Sequence, residues 1–218
     1  MKINFAKPYS CVKLWISVWF LLFVGGAPLS KAETLMTPQH VIQQTADELQ
    51  TTLRKPEYIH DFKKATALVD EILSTRVDFD RVSLLVLGKN WKTANAEQRE
   101  RFKKEFRFLL VRTFTTAFTE YANWKIRFLP TPMQPLSDTN AVVRTEIIQP
   151  GAQPSRVDYR MILTGDMWKV YDIQIDGLSL LQNYRTSFMG EVANGNLDQL
   201  IAHLAQRNAN AMNASIGR

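Results

Sequence analysis

The stretch WKVYDIQIDGLSLLQNYRTSF, residues 168–188, reads as a strand, a tight turn and a helix in immediate succession. Tyr171, Ile173 and Ile175 alternate onto one face of the strand. Asp176-Gly177 is a turn pair, because glycine reaches positive φ without steric cost. Ser179 followed by Gln182 has capping-box spacing and predicts a helix start. An apolar strand face is thus handed directly to a helix, which is a way to build the corner of a pocket. The run holds no catalytic constellation, and this favours binding over chemistry.

Three more alternating runs precede it. Gly165-Asp166 signals a two-residue hairpin, and before it Val157, Tyr159, Met161 and Leu163 alternate with Arg156, Asp158, Arg160 and Ile162. Pro150-Gly151 begins a turn, preceded by Ala141, Val143, Thr145 and Ile147 alternating with Val142, Arg144, Glu146 and Ile148. Trp124, Ile126 and Phe128 share a face of a first strand, and Pro130, Pro132 and Pro135 mark the loop after it. Short turns predict an antiparallel meander with one apolar and one charged face.

Further upstream the period is helical. Thr37-Pro38 supplies a cap and a proline at the first helical position, and Ile42, Ala46, Leu49 and Leu53 follow at helical spacing up to Pro56. A second helix is predicted over 57–75, and a short one from Asp78 to a terminating Gly88. The Asn95–Gln98 capping box opens the longest helix, over 96–122. Its face of Phe102, Phe106, Leu109, Leu110, Phe114, Ala117, Phe118 and Tyr121 suits either core packing or a ligand lining, and both can hold for different residues. Asn196 with Gln199 starts a last helix bearing Leu197, Leu200, Ile201 and Leu204. Residues 208–218 are small and polar and are expected to form a flexible tail. The predicted class is α+β: a four-stranded antiparallel sheet packed against several helices from both ends of the chain, with an apolar pocket between sheet and helices. Residues 33–207 are read as one such domain.

The first 32 residues read as an address. Lys2, Lys7 and Lys13 precede an eleven-residue apolar run at 14–24, and Ser30-Lys31-Ala32 fits a small-x-small cleavage site. Eleven residues do not span a bilayer, which needs roughly 20. A cleaved secretory signal is therefore expected, and with it a periplasmic location. Its removal takes four of the 27 basic residues and leaves a net charge of +2, which argues against a nucleic-acid partner. The only cysteine, Cys11, goes with it, so no disulfide or cysteine metal site is expected in the mature chain.

Motifs for catalysis are lacking: no Gly-x-Ser-x-Gly, Walker A, His-Glu-x-x-His or Gly-x-Gly-x-x-Gly occurs. His40, His60 and His203 are scattered on predicted helices. Asp172, Asp176 and Glu146 could do proton transfer with a tyrosine in an apolar cup, but the alternation puts Asp172 opposite Tyr171 and Ile173. Arg185 could pair with one of these carboxylates or with a ligand phosphate, and the local acid is the expected partner.

Two stretches carry a family resemblance. One is VLGKNWKTANAEQRERF at 86–102, continuing to Glu105-Phe106; the other is YDIQIDGLS at 171–179, followed by Asn183-Tyr184-Arg185 and Phe188. Together they resemble the MlaC family, also called the toluene-tolerance ABC transporter auxiliary component. The resemblance implies a soluble periplasmic carrier whose cargo is phospholipid; a monomer without cofactor is expected. Its implied partners are an outer-membrane lipoprotein–porin complex and an inner-membrane MCE-domain ABC transporter, and its implied role is to maintain outer-membrane lipid asymmetry. The acyl chains are then expected in the pocket between sheet and helices. Stripping on the order of 30 methylenes into water costs about 24 kcal/mol, at about 0.8 kcal/mol each, so such a pocket must be dry and apolar. The inward sheet set of Ile126, Phe128, Val143, Ile147, Val157, Tyr159, Met161, Tyr171, Ile173 and Ile175 fits that need. Leu181, Tyr184 and Phe188 are expected to close it. Three other readings stay open from the residues: a chaperone for lipidated proteins, a small cone-shaped enzyme using Asp and Tyr, and an interaction subunit with a fully packed core.

Overall fold

The cap residues set where the helices begin. In the computed structural model, which describes residues 36–120, 124–130 and 138–216, α1 (Pro38–Leu53) starts at Thr37, whose hydroxyl accepts from the His40 N–H. The expected signal at 1–32, Tyr121, Pro132 and Pro135 lie outside the described residues. The single helix predicted over 57–75 is two, α2 (Pro56–Ile59) and α3 (Phe62–Arg76). The break falls at Asp61, whose carboxylate accepts from the Lys64 N–H at 2.9 Å and caps α3 instead of continuing α2. Asp78 caps α4 (Phe79–Leu87) in the same way, and α5 (Lys89–Thr93) follows. Between them Gly88 has φ +53°, and a Cβ there would lie 3.2 Å from the Arg185 guanidinium. Arg185 therefore packs against the end of α4, not against a carboxylate of the corner. The box at Asn95 and Gln98 is reciprocal, each side chain accepting from the other's backbone N–H, and opens α6 (Ala96–Glu120).

The sheet has five strands in sequence order, not four: β1 (Lys125–Phe128), β2 (Asn140–Ile148), β3 (Ser155–Thr164), β4 (Met167–Ile175) and β5 (Leu178–Ser179), all antiparallel. The fifth is the two-residue return of the Asp176-Gly177 turn. Both turn residues have positive φ, 49° and 85°, the geometry that matches strand twist in a type I′ hairpin. α7 (Leu180–Ala193) then starts at Ser179, which both pairs with β4 and caps the helix through the Gln182 N–H.

Alternation on β4 fails at one place. The register passes from Arg160↔Asp172 to Met161↔Val170, so Tyr171 is an extra residue without a partner. The bulge returns Trp168 and Val170 to the same face as Ile173 and Ile175. It turns Tyr171 off that face, where the guanidinium groups of Arg81 and Arg160 lie 5.6 and 5.5 Å from its ring centre.

Three apolar clusters hold the layers together. α1 packs Val41 and Ile42 onto the sheet residues Ala141, Val143, Met161, Trp168 and Val170. Leu49 and Leu53 of α1 meet Ala65, Val69, Ile72 and Leu73 of α3 and Val111 of α6. The opposite side of α6, with Phe102, Phe106 and Leu110, packs against α4, α7 and α8 (Leu197–Ile216). The expected tail at 208–218 is corrected here, since α8 runs on as helix to Ile216. Asn208 is only 3% exposed, and its side-chain N–H donates to the Glu105 carbonyl at 2.9 Å and to the Glu105 carboxylate at 3.0 Å.

Candidate functional site: an apolar cavity between sheet and helices

A cavity of about 290 Å³ lies between the inner sheet face and helices α1, α3 and α6. The sheet contributes Ile126, Ile147, Val157, Tyr159, Val170, Ile173 and Ile175, so six of the residues expected from the alternation stand in its wall. Phe128, Val143 and Met161 share that sheet face but do not line the cavity; α1 covers them, and they belong to the packed core. Tyr171, Leu181 and Tyr184 fall elsewhere. They line a second cavity of about 50 Å³ together with Val82, Phe106 and Leu110. Val77, Phe114, Val170 and Ile173 line both spaces and form the partition between them. Phe188 lines neither. It is packed edge-on against Phe102 and Phe106, with ring centres 5.8 and 5.4 Å apart.

The displacement of Tyr171, Leu181 and Tyr184 has two causes. The bulge moves Tyr171, and α7 packs on α4 and α6 instead of folding over the cavity. The missing cover comes from the other end of the chain: Val41, Ile42, Thr45, Ala46 and Leu49 of α1, Leu73 and Arg76 of α3, and Phe114, Ala117 and Phe118 of α6. The helical spacing of Ile42, Ala46 and Leu49 was visible in the sequence, but spacing marks an apolar face without saying what faces it. On α6 both readings of the aromatic face hold. Phe102 and Phe106 are core, whereas Phe114 and Phe118 stand in the wall.

Polar groups in the wall are few: Thr45, Arg76, Gln149, Ser155 and the Tyr159 hydroxyl among the described residues. Burial pushes the Tyr159 phenol up to about 12, and a hydrogen bond with Thr145 offsets part of that rise. Tyr159 both lines the cavity and packs against the cluster around Met161 and Trp168. Tyr184, in the second cavity, is also shifted up by burial, against a hydrogen bond with Thr113 and the nearby Arg112 charge.

The carboxylates of the corner are occupied. Asp172, 6% exposed, accepts from the Ser179 hydroxyl at 2.8 Å and from the Leu181 N–H at 3.1 Å, at the start of α7. Asp176 accepts from the Arg156 N–H at 2.8 Å. Both therefore hold the strand–turn–helix corner in shape. A larger groove, about 890 Å³, runs along α3, α4, α6 and α8, but it is lined by charges. Lys103 lies 2.8 Å from both Asp80 and Glu100, and Arg107 lies 2.6 Å from Asp70. Those two carboxylates raise the Lys103 pKa through hydrogen bonds. Such a groove suits water, not acyl chains. No group of His, Cys, Asp and Glu able to hold a metal occurs among the described residues.

Comparison with known proteins agrees with this architecture. A solved phospholipid-binding protein from Ralstonia solanacearum, in complex with a phospholipid, superposes with a TM-score of 0.73 at 30% identity, over 81% of this chain and 99% of that one. The intermembrane phospholipid transport system binding protein MlaC of Haemophilus influenzae is 27% identical over 201 residues, 89% of this chain and 93% of the relative. The toluene tolerance protein ttg2D of Pseudomonas putida is 27% identical over 184 residues, 82% and 85% of the two chains. The family model for MlaC protein matches residues 43–206, from the first helix through the last, and the chain belongs to the MlaC family.

Proposed function

We propose that this chain is a periplasmic phospholipid carrier and not an enzyme. The observation that carries the reading is the cavity of about 290 Å³, whose wall is apolar except for a handful of groups. Its volume stands at the lower edge of small-ligand sites, roughly 300–1,000 Å³, and its lining is what acyl chains require. The relatives support the choice of cargo: one is named for intermembrane phospholipid transport, and one is solved with a phospholipid. Export by a cleaved signal at 1–32 places the carrier between two membranes. Its exchange partners are an inner-membrane MCE-domain ABC transporter and an outer-membrane lipoprotein–porin complex, and the consequence of exchange is lipid asymmetry of the outer membrane. An acid–base role is disfavoured because Asp172 is committed to the α7 start and Tyr159 holds its proton at physiological pH.

Native mass spectrometry of protein purified from cells tests this. A bound mass equal to diacyl phospholipid is expected, and an empty, tightly folded protein overturns the carrier reading. A bound mass matching the lipid anchor of a protein would instead favour the chaperone.

A further inference from the structure

Arg76 is the only charged residue in the cavity wall among the described residues. It occupies the last turn of α3, next to Val77, which is anchored by a bridge to Val170 at the free edge of β4. Its Nε is buried and has no acceptor among the described residues. Its one hydrogen bond there runs from Nη2 to the Gln44 side-chain oxygen on α1, and at 3.4 Å it is long. Gln44 is exposed, so the guanidinium lies in the seam between α1 and α3, with one side toward the cavity and the other toward water. The contrast with the charged groove is sharp, since Arg107 there is paired with Asp70 at 2.6 Å.

A guanidinium stays charged at any pH the protein meets. Leaving its Nε–H without an acceptor beside an apolar wall is costly. The end of α3 offers a partial reason for a cation, because a positive side chain complements the helix C-terminus. That accounts for a charge in the last turn but not for a buried Nε–H without an acceptor on a residue that lines an apolar cavity. One kind of occupant satisfies the seam and the cavity together: apolar chains joined to an anion with several acceptor oxygens. We propose that Arg76 is the phosphate anchor of the cavity. Its fork takes the phosphodiester of a glycerophospholipid in the α1–α3 seam, and the acyl chains run inward from there. This rests on the carrier reading and adds to it a head-group requirement: the same diacylglycerol body without phosphate is held less well.

The test uses the full mature chain, stripped of lipid and reloaded from vesicles of phosphatidylglycerol containing a minor fraction of diacylglycerol with identical acyl chains. Bound lipid is extracted and its ratio compared with that of the vesicles. Wild type is expected to enrich phosphatidylglycerol by about tenfold or more, the size of one charge-assisted hydrogen-bonded contact. Arg76→Gln is expected to load at the vesicle ratio while still carrying lipid, and Arg76→Lys to fall between, since it keeps the charge but not the fork. A purely helix-terminal role for Arg76 would alter stability and leave the lipid ratio unmoved. Loading of wild type at the vesicle ratio, or undiminished enrichment by Arg76→Gln, overturns the anchor and leaves the carrier reading intact. Should Arg76→Gln fail to fold, undiminished enrichment by Arg76→Lys overturns it. Uptake of neither lipid by wild type overturns the carrier reading itself, and the anchor with it.

Discussion

At the scale of single residues, alternation identifies a face but not what lies over it. Val143, Tyr159 and Ile173 are register partners across β2, β3 and β4 and share the inner face. Val143 is sealed under Val41 and Ile42, whereas Ile173 stands in the cavity wall. The sequence treats them alike; the structure separates their mutational outcomes. Ile173→Glu places a carboxylate in the cavity wall, at open space instead of packed core, and is expected to abolish co-purified lipid with the fold retained. Val143→Glu buries a charge in packed core and is expected to cost several kcal/mol in a urea titration. Normal lipid content in Ile173→Glu would refute the wall assignment. Tyr159 makes a prediction in pH. Its folded pKa of about 12 is above the unfolded value of about 10, so its contribution is fully present below pH 10 and is lost as pH rises toward 12. Unfolding free energy should therefore fall by up to about 1.4 kcal/mol per unit across that window, and Tyr159→Phe should remove that part of the slope. An identical slope in Tyr159→Phe would mean the phenol is hydrated in the folded state. Tyr171 marks the limit of residue-level reading, because an inserted residue in β4 leaves the period of two intact on either side and is invisible until the partner strand is seen.

At the scale of elements, the corner that decides the fold was legible because local chemistry specifies it. A type I′ turn needs two residues of positive φ and Asp-Gly supplies them; Ser179 caps the helix that follows. Other caps were equally plain at Thr37, Asn95 and Asn196, each of which accepts the backbone N–H three residues on. Where α7 goes afterwards was not legible, since its direction depends on α4 and α6. The end of α8 was misjudged for a related reason. Small polar residues at a chain terminus resemble a frayed tail, but Asn208 is a tertiary hydrogen-bond donor to Glu105, more than a hundred residues earlier. Truncation after Arg207 removes that donor from both the Glu105 carbonyl and the Glu105 carboxylate, together with the last turns of α8. It is expected to lower stability by about 1–3 kcal/mol. A chemical-denaturation midpoint unchanged from the full chain would restore the tail reading.

At the scale of the whole molecule, the carrier has to be a folded protein with a hole in its core, full or empty. A vacant apolar cavity forfeits packing, at about 24 cal/mol per Å³ in large-to-small core mutants, so 290 Å³ is equivalent to several kcal/mol. The remainder of the structure offsets this through α6, which contributes Val111 to the cluster with α1 and α3 and Phe102 and Phe106 to the cluster with α4, α7 and α8. Because one helix serves both clusters and also presents Phe114 and Phe118 to the cavity, filling the cavity should be felt throughout the molecule and not in one layer. Lipid that binds only the folded state stabilises it by mass action, about 2.7 kcal/mol at a free concentration one hundred times Kd. Delipidated protein should therefore melt below the lipid-loaded form in a single shifted transition, and incubation with phospholipid vesicles should restore the higher Tm. A packed interaction subunit would show the same Tm before and after extraction. Two transitions, with only the lower one moved by lipid, would show that α6 does not couple the cavity to the rest of the helical layer.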